Sequence, residues 1–194
     1  MIPSVLLAAL ALVGCGGETR PPAPPPSRVD VVKAAPVNPD EIKGFCDLYA
    51  PEAEAKPFVW PALAAGSAPP VTGWRWVNVW ATWCGPCIAE MPMLHQWRDK
   101  LAASGKDVTL TFVSFDAGQP EVDRFRDKHP EWALDLRITG TDAIAPWLGQ
   151  VGLDLGTAIP IHAFVDPSGK LRCVRTGALA EDAYATVARV ISGG

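Results

Sequence analysis

Val77-Asn78-Val79-Trp80-Ala81-Thr82-Trp83-Cys84-Gly85-Pro86-Cys87 runs from an apolar, Val- and Trp-rich segment into two cysteines separated by two residues. The apolar run reads as a buried strand. The adjoining segment, Ile88 to Trp97, has helical composition with its apolar residues on one face. A strand, a turn and a helix in that order place Cys84 at a helix N-terminus. There the unpaired backbone N–H groups and the positive end of the helix dipole stabilise a thiolate and lower the thiol pKa. Cys87, one turn further in, is close enough to close a disulfide with Cys84, so the pair can exchange two electrons. In that chemistry Cys84 is the nucleophile that attacks a substrate disulfide, and Cys87 resolves the mixed disulfide. The rival readings are half a zinc site and a structural disulfide that never turns over. Structural zinc needs four ligands, and the chain has no second Cys-x-x-Cys.

Outward from this stretch, Trp74 to Ala81 is the first central strand and Cys84 to about Ser104 the first helix, kinked by Pro92. Val108 to Phe115 is β-branched and aromatic, hence a strand. Pro120 to Lys128 reads as a helix opened by proline and acids. Leu134 to Thr139 suggests a short strand, and Asp142 to Gly149 a helix capped by Thr141 or Asp142. Ile161–Val165 and Leu171–Arg175 flank the turn residues Asp166-Pro167-Ser168-Gly169-Lys170, as in a β-hairpin. Glu181 to Ser192 closes as a helix with Ala183, Val187, Val190 and Ile191 inward. Upstream, Phe58 to Leu63 reads as a short edge strand and Asp40 to Ala50 as a structured lead-in. The succession predicts an α/β domain with a central mixed sheet flanked by helices on both faces.

Trp83-Cys84-Gly85-Pro86-Cys87 resembles the active site of thioredoxin. The longer string from Asn78, with Glu90 and Pro92 after it, resembles the TlpA-like branch, the membrane-tethered thioredoxins of bacterial envelopes, over about Phe58 to Ser192. The resemblance implies a thioredoxin fold and a thiol–disulfide oxidoreductase that reduces protein disulfides, needing no cofactor and no resident metal. It further implies a membrane electron carrier of the DsbD or CcdA type as donor and apocytochrome c as a plausible substrate. Trp83, Gly85 and Pro86 would form substrate surface. Ile159-Pro160 resembles the cis-proline opposite the dithiol, which would present the Ile159 backbone to an extended substrate segment. An ordinary trans loop proline is the alternative. Glu90 shares a helix face with Cys87 and matches a glutamate of the cytochrome-maturation relatives, where it would relay the Cys87 proton. Its plain alternative is a solvated helix charge. Asn78 stands where thioredoxin carries a buried aspartate, and an amide cannot accept that proton. His162, between Ile161 and Ala163, reads as a surface or internally satisfied histidine sooner than a ligand. Two other functions remain open on the same fold: a copper chaperone using the cysteines and His162, and a disulfide oxidase or isomerase. Copper chaperones of this kind usually space their cysteines by three residues rather than two.

The chain has 194 residues, 48% of them hydrophobic, which suits one domain plus extensions. Its net charge of −4 offers no basic field for nucleic acid. Val5 to Val13 is too short to span a bilayer and fits a signal-peptide core. Leu12-Val13-Gly14-Cys15 resembles a bacterial lipobox, whose cleavage leaves Cys15 lipid-modified. The alternative is an ordinary signal peptide with a chance cysteine. The expected organisation is a signal peptide over 1–14, a lipidated, proline-rich linker over 15–40 and a thioredoxin-like domain over 41–194. The linker reads as a semi-rigid spacer holding the domain in the periplasm, tethered to the inner or outer membrane. Cys46 and Cys173 are then left over. In an oxidising compartment they suggest a structural disulfide, with two independent buried thiols as the alternative.

Overall fold

The computed structural model describes residues 39–193 apart from 66, 71 and 135. The signal-peptide and Cys15 expectations, and the linker up to residue 38, lie outside the described residues.

Strand β3 (Trp74–Trp80) lies inside a seven-stranded sheet. Its parallel neighbour is β4 (Val108–Ser114), its antiparallel neighbour β6 (Ile161–Val165). Beyond β6 lies β7 (Leu171–Thr176) and then β1 (Leu48–Tyr49); beyond β4 lie β5 (Leu136–Ile138) and β2 (Leu63–Ala65). The sheet is therefore mixed, as expected. A strand's side chains alternate between faces. Trp76 and Trp80 accordingly join one core layer, and Val77 and Val79 the other. The first layer packs under helix α2 (Gly85–Ala103) through Met91, Leu94 and Leu101. It also receives Ile42 of α1 (Pro39–Phe45) and Val187 of α5 (Tyr184–Val190). The second layer holds Ile144, Trp147 and Leu148 of α4 (Ile144–Gln150). Helix α3 (Gln119–Arg126) sets Phe125 against Trp80, with ring centroids 5.1 Å apart.

Several boundaries differ from the sequence reading. The edge strand forms at Leu63–Ala65 and not at Phe58–Leu63. Pro61 has no N–H to give a ladder, and the preceding segment is used otherwise. Phe58 N–H bonds Gly169 O, and the Trp147 indole N–H donates to Val59 O at 2.9 Å. Helix α4 is entered through a 3-10 turn at Thr141–Ala143, which puts its N-cap position at Ala143, a residue with no side-chain acceptor, and not at residue 141 or 142 as expected. The final helix likewise opens with a 3-10 turn, Glu181–Ala183, which leaves Ala183 only partly buried. The lead-in is helix α1 followed by β1, so helix begins two residues inside the stretch read as linker.

Candidate active site

Helix α2 starts where β3 ends, and Cys84 is its N-cap residue in extended conformation, φ −89° and ψ 94°. The Cys87 N–H points at Cys84 Sγ from 3.3 Å. Cys84 and Cys87 are disulfide-bonded in this structure. When that bond is reduced, the same N–H and the helix dipole face the Cys84 thiolate. Cys84 is 6% exposed and Cys87 fully buried, so a partner reaches the first sulfur and not the second.

A cavity of about 350 Å³ opens beside Cys84, lined by Trp83, Gly85, Pro86, Phe115, Thr157, Ala158 and Ile159. No lining residue is charged. Trp83 is 66% exposed, an unusual position for an indole. The Ile159–Pro160 bond is cis, and the Ile159 carbonyl oxygen stands 3.8 Å from Cys84 Sγ. The residues read as substrate surface thus stand around one sulfur. Trp80 is buried against Phe125, and Trp76 and Trp147 are core.

The turn carrying Trp83 and Cys84 is tied down by a residue the sequence reading passed over. Asp116, 2% exposed just after β4, accepts the Thr82 N–H at 3.0 Å and the Thr82 and Ser114 hydroxyls at 2.7 Å each. A lone acid after an apolar strand gives no signal in sequence; only the parallel β3–β4 register brings it to Thr82.

Glu90 is 4% exposed, not a solvated helix charge. Its Oε1 accepts the Asn78 Nδ2–H at 3.0 Å, and its Oε2 accepts the Leu179 N–H at 2.8 Å. Asn78 stands opposite His162 across the β3–β6 ladder. His162 is fully buried, with Nε2 3.3 Å from Glu90 Oε1. The other two histidines lie in an aromatic cluster with Phe112, Phe125 and Trp132. Burial, then the neighbouring Arg98, holds His95 below the ordinary histidine value. Among the described residues, no three His, Cys, Asp or Glu side chains converge on a point where they could hold a metal ion. Away from the site, Cys46 and Cys173 are disulfide-bonded, their Cα atoms 5.5 Å apart, joining the α1–β1 junction to β7.

No protein-family model matches the chain. Over 103 residues it is 33% identical to the thiol:disulfide interchange protein DsbE of Vibrio cholerae, covering 52% of this chain and 48% of that one. Over 107 residues it is 31% identical to the thiol-disulfide oxidoreductase ResA of Oceanobacillus iheyensis, covering 55% and 50%. The chain thus spans about half the length of these relatives. Among solved structures, a secreted thiol-disulfide isomerase of Corynebacterium glutamicum superposes with a TM-score of 0.55 at 16% identity, covering 75% of this chain and 91% of that one. A DsbF homologue of Corynebacterium diphtheriae gives 0.52 at 17%, covering 72% and 90%. At these identities the structural likeness speaks for the fold alone.

Proposed function

We propose that this chain, a TlpA-like member of the thioredoxin superfamily, is an envelope thiol–disulfide oxidoreductase that reduces protein disulfides. The observation that carries the reading is the Cys84–Cys87 pair at the α2 N-terminus, with the first sulfur open to an uncharged cavity and the second sealed. In the reduced protein the Cys84 thiolate attacks a substrate disulfide. One substrate sulfur leaves as thiolate, and the other stays bonded to Cys84. Cys87 gives up its proton and attacks Cys84 Sγ, which expels the second substrate sulfur. The substrate disulfide gains two electrons and the protein dithiol loses them.

Each neighbour has a part in this scheme. Trp83, Gly85 and Pro86 offer apolar surface to the segment around the substrate cysteine, and the Ile159 backbone lines the same cavity. Pro160 leaves that strand end without an N–H of its own. Glu90 lies three residues from Cys87 on α2, a spacing that sets Cβ atoms about 5–6 Å apart, and serves as acceptor for its proton. A reductase in an oxidising compartment must be recharged, which calls for a membrane dithiol carrier of the DsbD or CcdA type. Apocytochrome c is the proposed substrate. A signal peptide over 1–14, lipid on Cys15 and a spacer over 15–40 would tether the domain facing the periplasm.

Reduction of insulin disulfides by the dithiothreitol-recharged protein tests the activity. Wild type is expected to turn over and Cys84→Ser to be inert, while Cys87→Ser accumulates a mixed disulfide visible by intact-protein mass. Equal rates for wild type and Cys84→Ser would sink the reading.

A further inference from the structure

Four buried side chains from three elements meet: Trp76 and Asn78 of β3, His162 of β6 and Glu90 of α2, three residues on from Cys87. His162 Nδ1 lies 3.2 Å from the Trp76 indole Nε1 and 3.3 Å from Asn78 Nδ2. An indole N–H can only donate. Nδ1 is therefore the bare, accepting nitrogen, and the ring proton sits on Nε2, on the side of Glu90 Oε1 at 3.3 Å. Nε2 is buried and has no other hydrogen-bond partner, so the carboxylate oxygen is the acceptor it faces. Around the carboxyl of Glu90, Asn78 Nδ2, Leu179 N and His162 Nε2 are all N–H groups. Each can donate and none can accept, so these contacts favour the carboxylate, the form able to take a proton.

We propose that His162 is a positioning residue for Glu90: Trp76 locks it as the Nε2–H tautomer, and in that form it donates to the carboxylate that takes the Cys87 proton. The step it supports is the second half of the cycle. The Cys87 thiol loses its proton to Glu90, its sulfur attacks Cys84 Sγ, the mixed disulfide breaks, and the substrate sulfur departs with the bonding pair. Glu90 then returns the proton to solvent or to the departing thiolate. The charged groups near the ring are few. From α2 there is Glu90, while the one charged residue of β3, Arg75, falls by strand alternation on the face opposite Trp76 and Asn78. Arg175 of β7, paired with His162 across the ladder, sends its guanidinium to Phe45 O at 3.2 Å and toward Asp47 at 3.8 Å. Removing the His162 donor takes away one of three N–H contacts to the acceptor carboxylate, a loss expected to tell most on the acid side.

The inference rests on the oxidoreductase reading, and one experiment separates the two. Reduced protein is mixed with dithiobis-nitrobenzoate in a stopped-flow instrument. Release of the first thionitrobenzoate reports Cys84 attack, and release of the second reports resolution by Cys87. For His162→Leu the second phase is expected to slow about tenfold on the acid side, the scale of one hydrogen bond to a charged group. The first phase and the alkaline rates should stay as in wild type. His162→Gln restores an N–H near the Nε2 position and should return the profile to within about twofold. Two phases in wild type with an unshifted second-phase profile in folded His162→Leu would overturn the role of His162 alone. A wild type that releases no second thionitrobenzoate would instead overturn the dithiol reading. Nitrogen-15 NMR of the wild-type imidazole at neutral pH decides the case if His162→Leu does not fold. An Nε2–H signal is expected for His162, and an Nδ1–H signal refutes the lock.

Discussion

The Cys46–Cys173 bridge makes the largest single energetic prediction. It joins residues 127 apart in sequence, and a cross-link stabilises chiefly by shrinking the unfolded ensemble, more so for a longer loop. For a separation of 127 the chain-entropy relation gives about 16–17 cal/mol/K, or about 5 kcal/mol at 25 °C. That is comparable to the whole stability of many domains, typically about 5–15 kcal/mol. The comparison is best made in a Cys84→Ser/Cys87→Ser background, so that Cys46→Ser/Cys173→Ser changes only this bridge. Guanidinium unfolding followed by tryptophan fluorescence should then show a loss of about 3–5 kcal/mol. The denaturant slope should rise as the unfolded chain expands. Thermal unfolding should fall by roughly 10–20 °C. A loss below about 1 kcal/mol with an unchanged slope would refute the argument, because it would mean that the unlinked chain is no freer than the linked one.

Asp116→Ala strands the Thr82 N–H and two hydroxyls; it should cost about 3 kcal/mol and slow insulin reduction, whereas Asp116→Asn keeps an acceptor and should do less harm on both counts. Trp83→Ala, at a site 66% exposed, should leave the unfolding midpoint within about 0.5 kcal/mol but raise KM for disulfide peptides with apolar flanks. Asp166 makes a pH prediction. Burial alone would raise its pKa from 3.8, but the Ser168 hydroxyl, the Lys170 and Ser168 N–H groups and Arg172 at 3.5 Å together lower it. A depressed carboxylate gives stability that is complete above its unfolded value and is lost as pH falls through the folded one. Asp166→Asn should therefore be about 2 kcal/mol less stable near neutrality and converge with wild type as the pH drops below 3.8; a gap that stays constant into acid would contradict this.

The strand–turn–helix around Cys84 was legible because each part is a local matter. Alternating Trp and Val set the two faces of β3, and a helix beginning at a cysteine needs only short-range geometry. Period and turn chemistry likewise placed β4, β6 and β7. Legibility failed where one segment's hydrogen bonds were claimed by a distant one. Phe58 looks like a strand residue until Gly169 O takes its N–H, and Thr141 looks like a cap until a 3-10 turn occupies the position before α4.

The same division runs through the site. Composition and spacing by themselves determined a cysteine pair able to close a disulfide at a helix start on a mixed α/β sheet, because thiol separation and helix polarity are properties of adjacent residues. Only tertiary structure decided what surrounds that dithiol. Parallel pairing carries Asp116 to Thr82, and antiparallel pairing carries His162 to Asn78 and hence to Glu90. Those partners are 34, 84 and 72 residues apart, separations at which a side chain's neighbours are set by strand register and leave no periodic trace in the chain.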